Sequence, residues 1–158
     1  MKKQDYSTSI PTNATPKESF KCVNSVSKWW TENIEGSSQN PDGIFTVRFG
    51  TTWKTFKIIE FVPDKKVVWQ VTDCNMPWNK NKTEWKNTKI VWEVSKKDNK
   101  TQIRFTHLGL VPDFECFDAC SNAWTDYLQN SLKNLITTGK GQPNPREDKP
   151  KAAKKVTA

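Results

Sequence analysis

Four cysteines and one histidine are the residues of this 158-residue chain best suited to metal or redox chemistry. Cys116 and Cys120 stand one helical turn apart, with His107 a short loop upstream and Cys74 further back. Brought together, the four could close a tetrahedral zinc site, but their spacing fits no standard zinc pattern, and cysteine commonly packs as a small buried apolar residue. A redox role for the helical pair needs a lowered thiol pKa, which a sequence does not display. His107 alternates in register with Ile103 and Phe105, making it the candidate polar group of an apolar interior. There it could hydrogen-bond a ligand or titrate near neutral pH; satisfaction by a neighbouring carbonyl is the plainer alternative. Asp73, Glu93, Asp113 and Glu115 could each pair with His107 in acid–base work, yet each also suits a solvated strand edge or helix start. The chain contains no Gly-x-Ser-x-Gly elbow, phosphate loop or Gly-x-Gly-x-x-Gly turn. No catalytic residue, metal ligand or cofactor is assigned.

The other chemical resource is aromatic: eight tryptophans and eight phenylalanines. Such residues either fill a solid core or line a cavity, and both outcomes stay open. Trp78 and Trp85 lie in residues 75–88, a connection longer than the usual hairpin loop and rich in Lys and Asn. They are candidates for a lid over a cavity or for a contact with a partner protein.

These residues need elements to hold them. Phe117, Cys120, Trp124, Leu128, Ser131 and Leu135 recur at steps of three and four, one stripe of a helix over 115–138, with Gly139 where a left-handed cap belongs. Residues 6–10 alternate as a short strand closed by Pro11. Thr15-Pro16-Lys17-Glu18 is a capping box with proline at the first helical position, opening one or two helical segments that carry Phe20, Val23, Val26 and Trp29-Trp30. Residues 33–43 read as a loop. The period then becomes two, through 44–49, 53–62, 67–71, 90–94 and 103–107. Strands joined in sequence make an antiparallel sheet, and the long helix must cover its apolar face.

A chain of this length makes one domain, expected over 5–142, with a disordered N-terminus at 1–4 and a disordered basic tail at 143–158. The net charge of +8 concentrates at the two ends, which removes the footprint expected of a nucleic-acid binder. No apolar run reaches the roughly 20 residues of a membrane span and no secretory leader is evident, so a cytoplasmic protein is expected.

The order of strand, capped helix, antiparallel meander and long closing helix is that of a helix-grip fold, of class α+β. The chain resembles the START-like, or SRPBCC, superfamily, and within it proteins similar to the C-terminal domain of the activator of heat-shock protein 90 ATPase. The resemblance rests on Trp29-Trp30, on Phe61-Val62-Pro63-Asp64-Lys65-Lys66-Val67-Val68-Trp69, on Thr101 to Gly109, and on the closing run from Trp124 to Gly139. It implies a curved sheet wrapped around the helix, enclosing a cavity for an apolar or amphipathic small molecule. Trp29, Trp30, Phe45, Trp69, Trp92, Phe105, His107, Phe117, Cys120 and Trp124 are then the expected ligand-binding residues. It also implies two other roles: a protein-interaction module acting on a heat-shock chaperone, or a cyclase-type enzyme using His107.

Overall fold

The computed structural model describes residues 4–147. Residues 1–3 and 148–158, which hold most of the expected disordered ends, lie outside the described residues. Seven strands form one antiparallel sheet: β1 (Tyr6–Thr12), β2 (Ile34–Gly36), β3 (Ile44–Phe49), β4 (Thr52–Val62), β5 (Lys66–Asn75), β6 (Lys89–Lys97) and β7 (Lys100–Leu108), in the spatial order β1-β7-β6-β5-β4-β3-β2. Two short helices, α1 (Pro16–Asn24) and α2 (Val26–Trp29), follow β1 and meet at Ser25. The closing helix comprises α3 (Phe117–Asp126), a π-helical turn (Tyr127–Leu132) and α4 (Lys133–Thr138). This is the helix-grip fold.

Local chemistry explains the boundaries. The Thr15 hydroxyl accepts from the Glu18 N–H while the Glu18 carboxylate accepts from the Thr15 N–H, both at 3.0 Å, so the capping box forms as its residues require. Gly139 adopts φ +86° and donates its N–H to Leu135, ending α4 in the left-handed cap that glycine permits. Two elements differ from expectation. Pro11 lies inside β1 opposite Gln102, tolerated because β1 is an edge strand and the missing N–H interrupts no further ladder. Ile34–Gly36, expected as loop, pairs with β3; Gly36 has φ +88°, and a Cβ there would lie 2.1 Å from the Ile44 carbonyl oxygen.

Register shifts lie between β4 and β5 at Thr55/Phe56 and at Ile58/Glu60. The first turns Cys74 inward with Val71 where simple alternation would have buried Asp73. The inner faces of β3 to β7 carry Phe45, Phe56, Trp69, Trp92 and Phe105, all buried. Trp29 and Trp30 enter from α2, stacked at 5.7 Å, and Trp30 continues to Trp124 of α3 at 4.8 Å and to Trp69 at 6.4 Å. Trp69 and Trp92 meet edge to face at 5.5 Å, and Trp92 meets Phe105 at 4.8 Å. Most of the space between sheet and helix is thus filled with rings.

Residues 143–147 pack against the domain. Asn144 bridges Thr31, its N–H donating to the Trp30 carbonyl, and the Glu147 carboxylate accepts the Gly50 N–H. Among the described residues, no helix is long and apolar enough to cross a membrane.

Candidate functional site

At one end of the aromatic core, between α3 and the start of β4, lies a cavity of about 170 Å³. Trp30, Phe49, Trp85, Trp124 and Tyr127 wall it, Trp78 stands at its rim, and Thr52, Lys54 and Cys120 bring polar atoms to it. Ala119 and Ala123, one helical turn apart, complete the lining; their small side chains leave a gap between helix and sheet. The Trp78 indole N–H donates to the Thr52 hydroxyl at 3.0 Å, tying the rim to β4.

Lys54 is the unusual group. It follows Thr52 and precedes Phe56 and Ile58 on the inward face of β4, and is only 7% exposed. Its ammonium lies 4.1 Å above the Trp85 ring and 5.7 Å from that of Phe49, and it makes no ion pair among the described residues. Burial pushes its pKa below the usual lysine range, against the pull of the Cys120, Cys74 and Cys116 sulfurs. Two ring faces supply about 0.5–2 kcal/mol each, less than the several kcal/mol that desolvating an ammonium costs. A negatively charged acceptor is what this position lacks among the described residues.

His107 is committed elsewhere. Its Nδ1 accepts the Trp124 indole N–H at 3.1 Å, and its Nε2 lies 2.9 Å from the Thr88 hydroxyl. Because that hydroxyl donates to the Trp85 carbonyl at 2.6 Å, the histidine must donate from Nε2, which fixes a neutral ring with one tautomer. Burial, aided by Lys54, lowers its pKa from 6.5 to about 3. Both nitrogens are occupied and the ring does not reach the cavity.

The cysteines separate into a pair and two single residues. Cys120 Sγ lies 2.7 Å from Cys116 Sγ and accepts the Trp85 indole N–H at 3.3 Å. Cys74 Sγ instead faces the Lys82 carbonyl at 3.9 Å, and Cys22 lies apart, half-buried. Among the described residues, no three His, Cys, Asp or Glu side chains gather as a metal site.

Residues 76–88 form a structured flap. Met76 donates its N–H to the Lys82 carbonyl, and the Glu84 carboxylate accepts the N–H groups of Glu115 at 2.8 Å and Cys116 at 3.1 Å. Glu115 answers by accepting from Lys80 and Asn81, bonds that hold its carboxyl below the usual range. The flap is therefore clamped to the start of α3, with Trp85 beneath it. Glu84→Ala should lower stability by about 1–2 kcal/mol by leaving these donors without their acceptor. Urea denaturation would measure it, and an unchanged midpoint would count against the clamp.

Of the residues expected to bind a ligand, Trp30, Cys120 and Trp124 line the cavity, joined by Trp78 and Trp85. Trp29, Phe45, Trp69, Trp92 and Phe105 lie behind it in the core, fully buried His107 beside them, and half-buried Phe117 packs against that core. Trp85 is buried and Trp78 is exposed, so the two flap tryptophans face opposite environments. Sequence reasoning missed Lys54, Phe49, Thr52, Ala119, Ala123 and Tyr127. Lys54 had a readable signal, a lysine at even spacing from Phe56 and Ile58.

Comparison with known proteins agrees with this architecture. The family model described as "Activator of Hsp90 ATPase homolog 1-like protein" matches residues 23–137. The solution structure of the Aha1 dimer from Colwellia psychrerythraea superposes with a TM-score of 0.72 at 28% identity, covering 87% of this chain and 99% of that one. DynU16, a putative protein of the dynemicin biosynthetic locus, shares the fold at 14% identity with a TM-score of 0.65, covering 89% of this chain and 50% of that one. CalU16 from Micromonospora echinospora does so at 10% identity and a TM-score of 0.60, over 84% of this chain and 74% of that one. No curated protein matches the chain. With the family model spanning most of its length, the chain belongs to the activator of Hsp90 ATPase homolog 1-like family, within the START-like (SRPBCC) superfamily.

Proposed function

We propose that the protein binds a small amphipathic molecule, its apolar body against Trp30, Trp85 and Trp124 and its polar end toward Lys54. The observation that carries this reading is a buried, unpaired lysine opening into an otherwise apolar cavity. At about 170 Å³ the space is below the roughly 300–1,000 Å³ of pockets for drug-sized ligands, and close to the roughly 150 Å³ that admits benzene. The ligand is accordingly ring-sized. The four free cysteines accord with the reducing cytoplasm as its location.

Titration with benzoate and with cumyl alcohol, followed by tryptophan fluorescence and amide NMR, tests the reading. Saturable quenching is expected, with shifts confined to the cavity, and Lys54→Met should weaken benzoate binding by roughly tenfold or more. A flat response to both probes would remove it.

A second reading, a module that acts on a heat-shock chaperone, draws on the family's description and on Trp78, 54% exposed at the rim. Under it, Trp78→Ala would abolish a chaperone contact. A cyclase-type enzyme relying on His107 has no support in this geometry, because both imidazole nitrogens are already engaged.

A further inference from the structure

Two groups that favour negative charge on one sulfur, and a second thiol, converge at the cavity wall. The Trp85 indole N–H points at Cys120 Sγ from 3.3 Å, Cys116 Sγ lies 2.7 Å away, and the buried Lys54 ammonium shares the cavity without a carboxylate partner among the described residues. A thiolate at Cys120 gives Lys54 the counter-charge that it otherwise lacks. Lys54 in turn stabilises that thiolate in an apolar setting.

We propose that Cys120 is a peroxide-reactive thiolate, with Cys116 as its resolving thiol, acting on small apolar organic hydroperoxides that enter the cavity. This deepens the ligand-binding reading and rests on it, since the hydroperoxide is the amphipathic molecule bound. The chemistry balances as follows. The Cys120 thiolate attacks the terminal peroxide oxygen; the S–O bond forms, the O–O bond breaks, and the alkoxide leaves with a proton from Lys54 as the alcohol. Cys120 is then a sulfenic acid. The Cys116 thiol attacks its sulfur, forming the disulfide and releasing water from the hydroxyl and the thiol proton. An external dithiol returns both cysteines to the reduced state and Lys54 to its ammonium form.

The positions suit these steps. Cys116 and Cys120 are one turn apart, within the range of Cα separations a disulfide spans, and Cys116 lies just before the regular helix at φ −86°, ψ 6°. The two thiols are also unequal. The contact with Cys116 lowers the Cys120 pKa against burial, with Lys54 and the Trp85 indole adding to the effect, whereas the same contact and burial raise that of Cys116. Cys120 alone of the two faces the cavity with Lys54 and accepts the Trp85 indole N–H, which makes it the nucleophile. The aromatic wall selects apolar hydroperoxides over hydrogen peroxide.

The test uses the reduced full chain, cumene hydroperoxide and hydrogen peroxide, with intact-mass and peptide mapping. Expected are loss of two hydrogens, a Cys116–Cys120 disulfide, and faster reaction with cumene hydroperoxide. Cys22 serves as an internal reference, because burial raises its pKa and it lies away from the cavity. Cys116→Ser should stop at a Cys120 sulfenic acid that dimedone traps, and Lys54→Met should slow the reaction by roughly tenfold or more. Should Cys116→Ser fail to fold, Cys116→Ala carries the same test. Oxidation of Cys120 no faster than of Cys22, or a rate unaffected by Lys54→Met, would overturn the proposal. Ligand titration separates the two failures: binding of benzoate or cumyl alcohol without peroxide reactivity sinks this proposal alone, and a flat response to both probes sinks the binding reading as well.

Discussion

Acidification from about pH 7 to about pH 4 is expected to remove about 3 kcal/mol of stability through His107 alone. In the folded protein this ring is neutral, held between the Trp124 indole N–H and the Thr88 hydroxyl, with the Trp85 ring packed perpendicular to it at 4.6 Å between centroids and Lys54 repelling a second positive charge. Protonation would place a hydrogen on Nδ1, directly against the Trp124 donor. Between about 3 and 6.5 the unfolded chain therefore carries a proton on His107 that the folded chain does not. Stability rises with pH across that window, by about 1.4 kcal/mol per unit, and is lost as the pH falls through it. Above the window the contribution is flat. Urea denaturation at a series of pH values measures the slope. His107→Gln, which keeps a donor and an acceptor without the titration, should lower stability near pH 7 but flatten the profile between pH 4 and 6.5. An unchanged slope in that variant would assign the acid sensitivity to other groups.

Trp124→Ala is expected to cost about 4–5 kcal/mol, enough to unfold a domain of ordinary stability or leave it marginal. Trp124 contacts Trp30 at 4.8 Å, Phe105 at 4.5 Å and Trp85 at 5.7 Å, and donates to His107. Its removal would merge the cavity with the core and strand the Nδ1 acceptor. Trp124→Phe separates the two effects, retaining a ring and losing the N–H; about 1–3 kcal/mol is expected for it. The denaturation midpoints of both variants supply the check, and a loss below about 2 kcal/mol for the alanine would show that the neighbouring rings close the gap.

The fold was legible because its signals are local and mutually consistent. Alternation at Ile90, Trp92 and Val94, the capping box at Thr15 and the cap at Gly139 each specify an element without knowledge of the rest. The site was less legible because it depends on which rings leave space. Nothing in the spacing of Trp69, Trp92 and Phe105 tells that they pack into one another, whereas Trp85, from a polar loop, turns inward to meet Lys54. His107 was placed on the right face, but its partners Thr88 and Trp124 lie on other elements, and only the fold brings them within reach. Cys116 and Cys120 could be set on one helical face by counting. The indole and ammonium that surround them came from residues 85 and 54, far away in sequence.

The two outer strands carry a consequence for self-association. An unpaired strand is a template for a second chain, and β1 and β2 occupy the rims of this sheet. On one rim Pro11 withholds a backbone donor; on the other β2 offers only three residues, the last of them Gly36, where the chain turns away. Neither rim supports a long intermolecular ladder. A concentrated solution of this protein should accordingly resist fibril growth by sheet extension, and any assembly it forms must be built on side-chain surfaces rather than on its backbone edges.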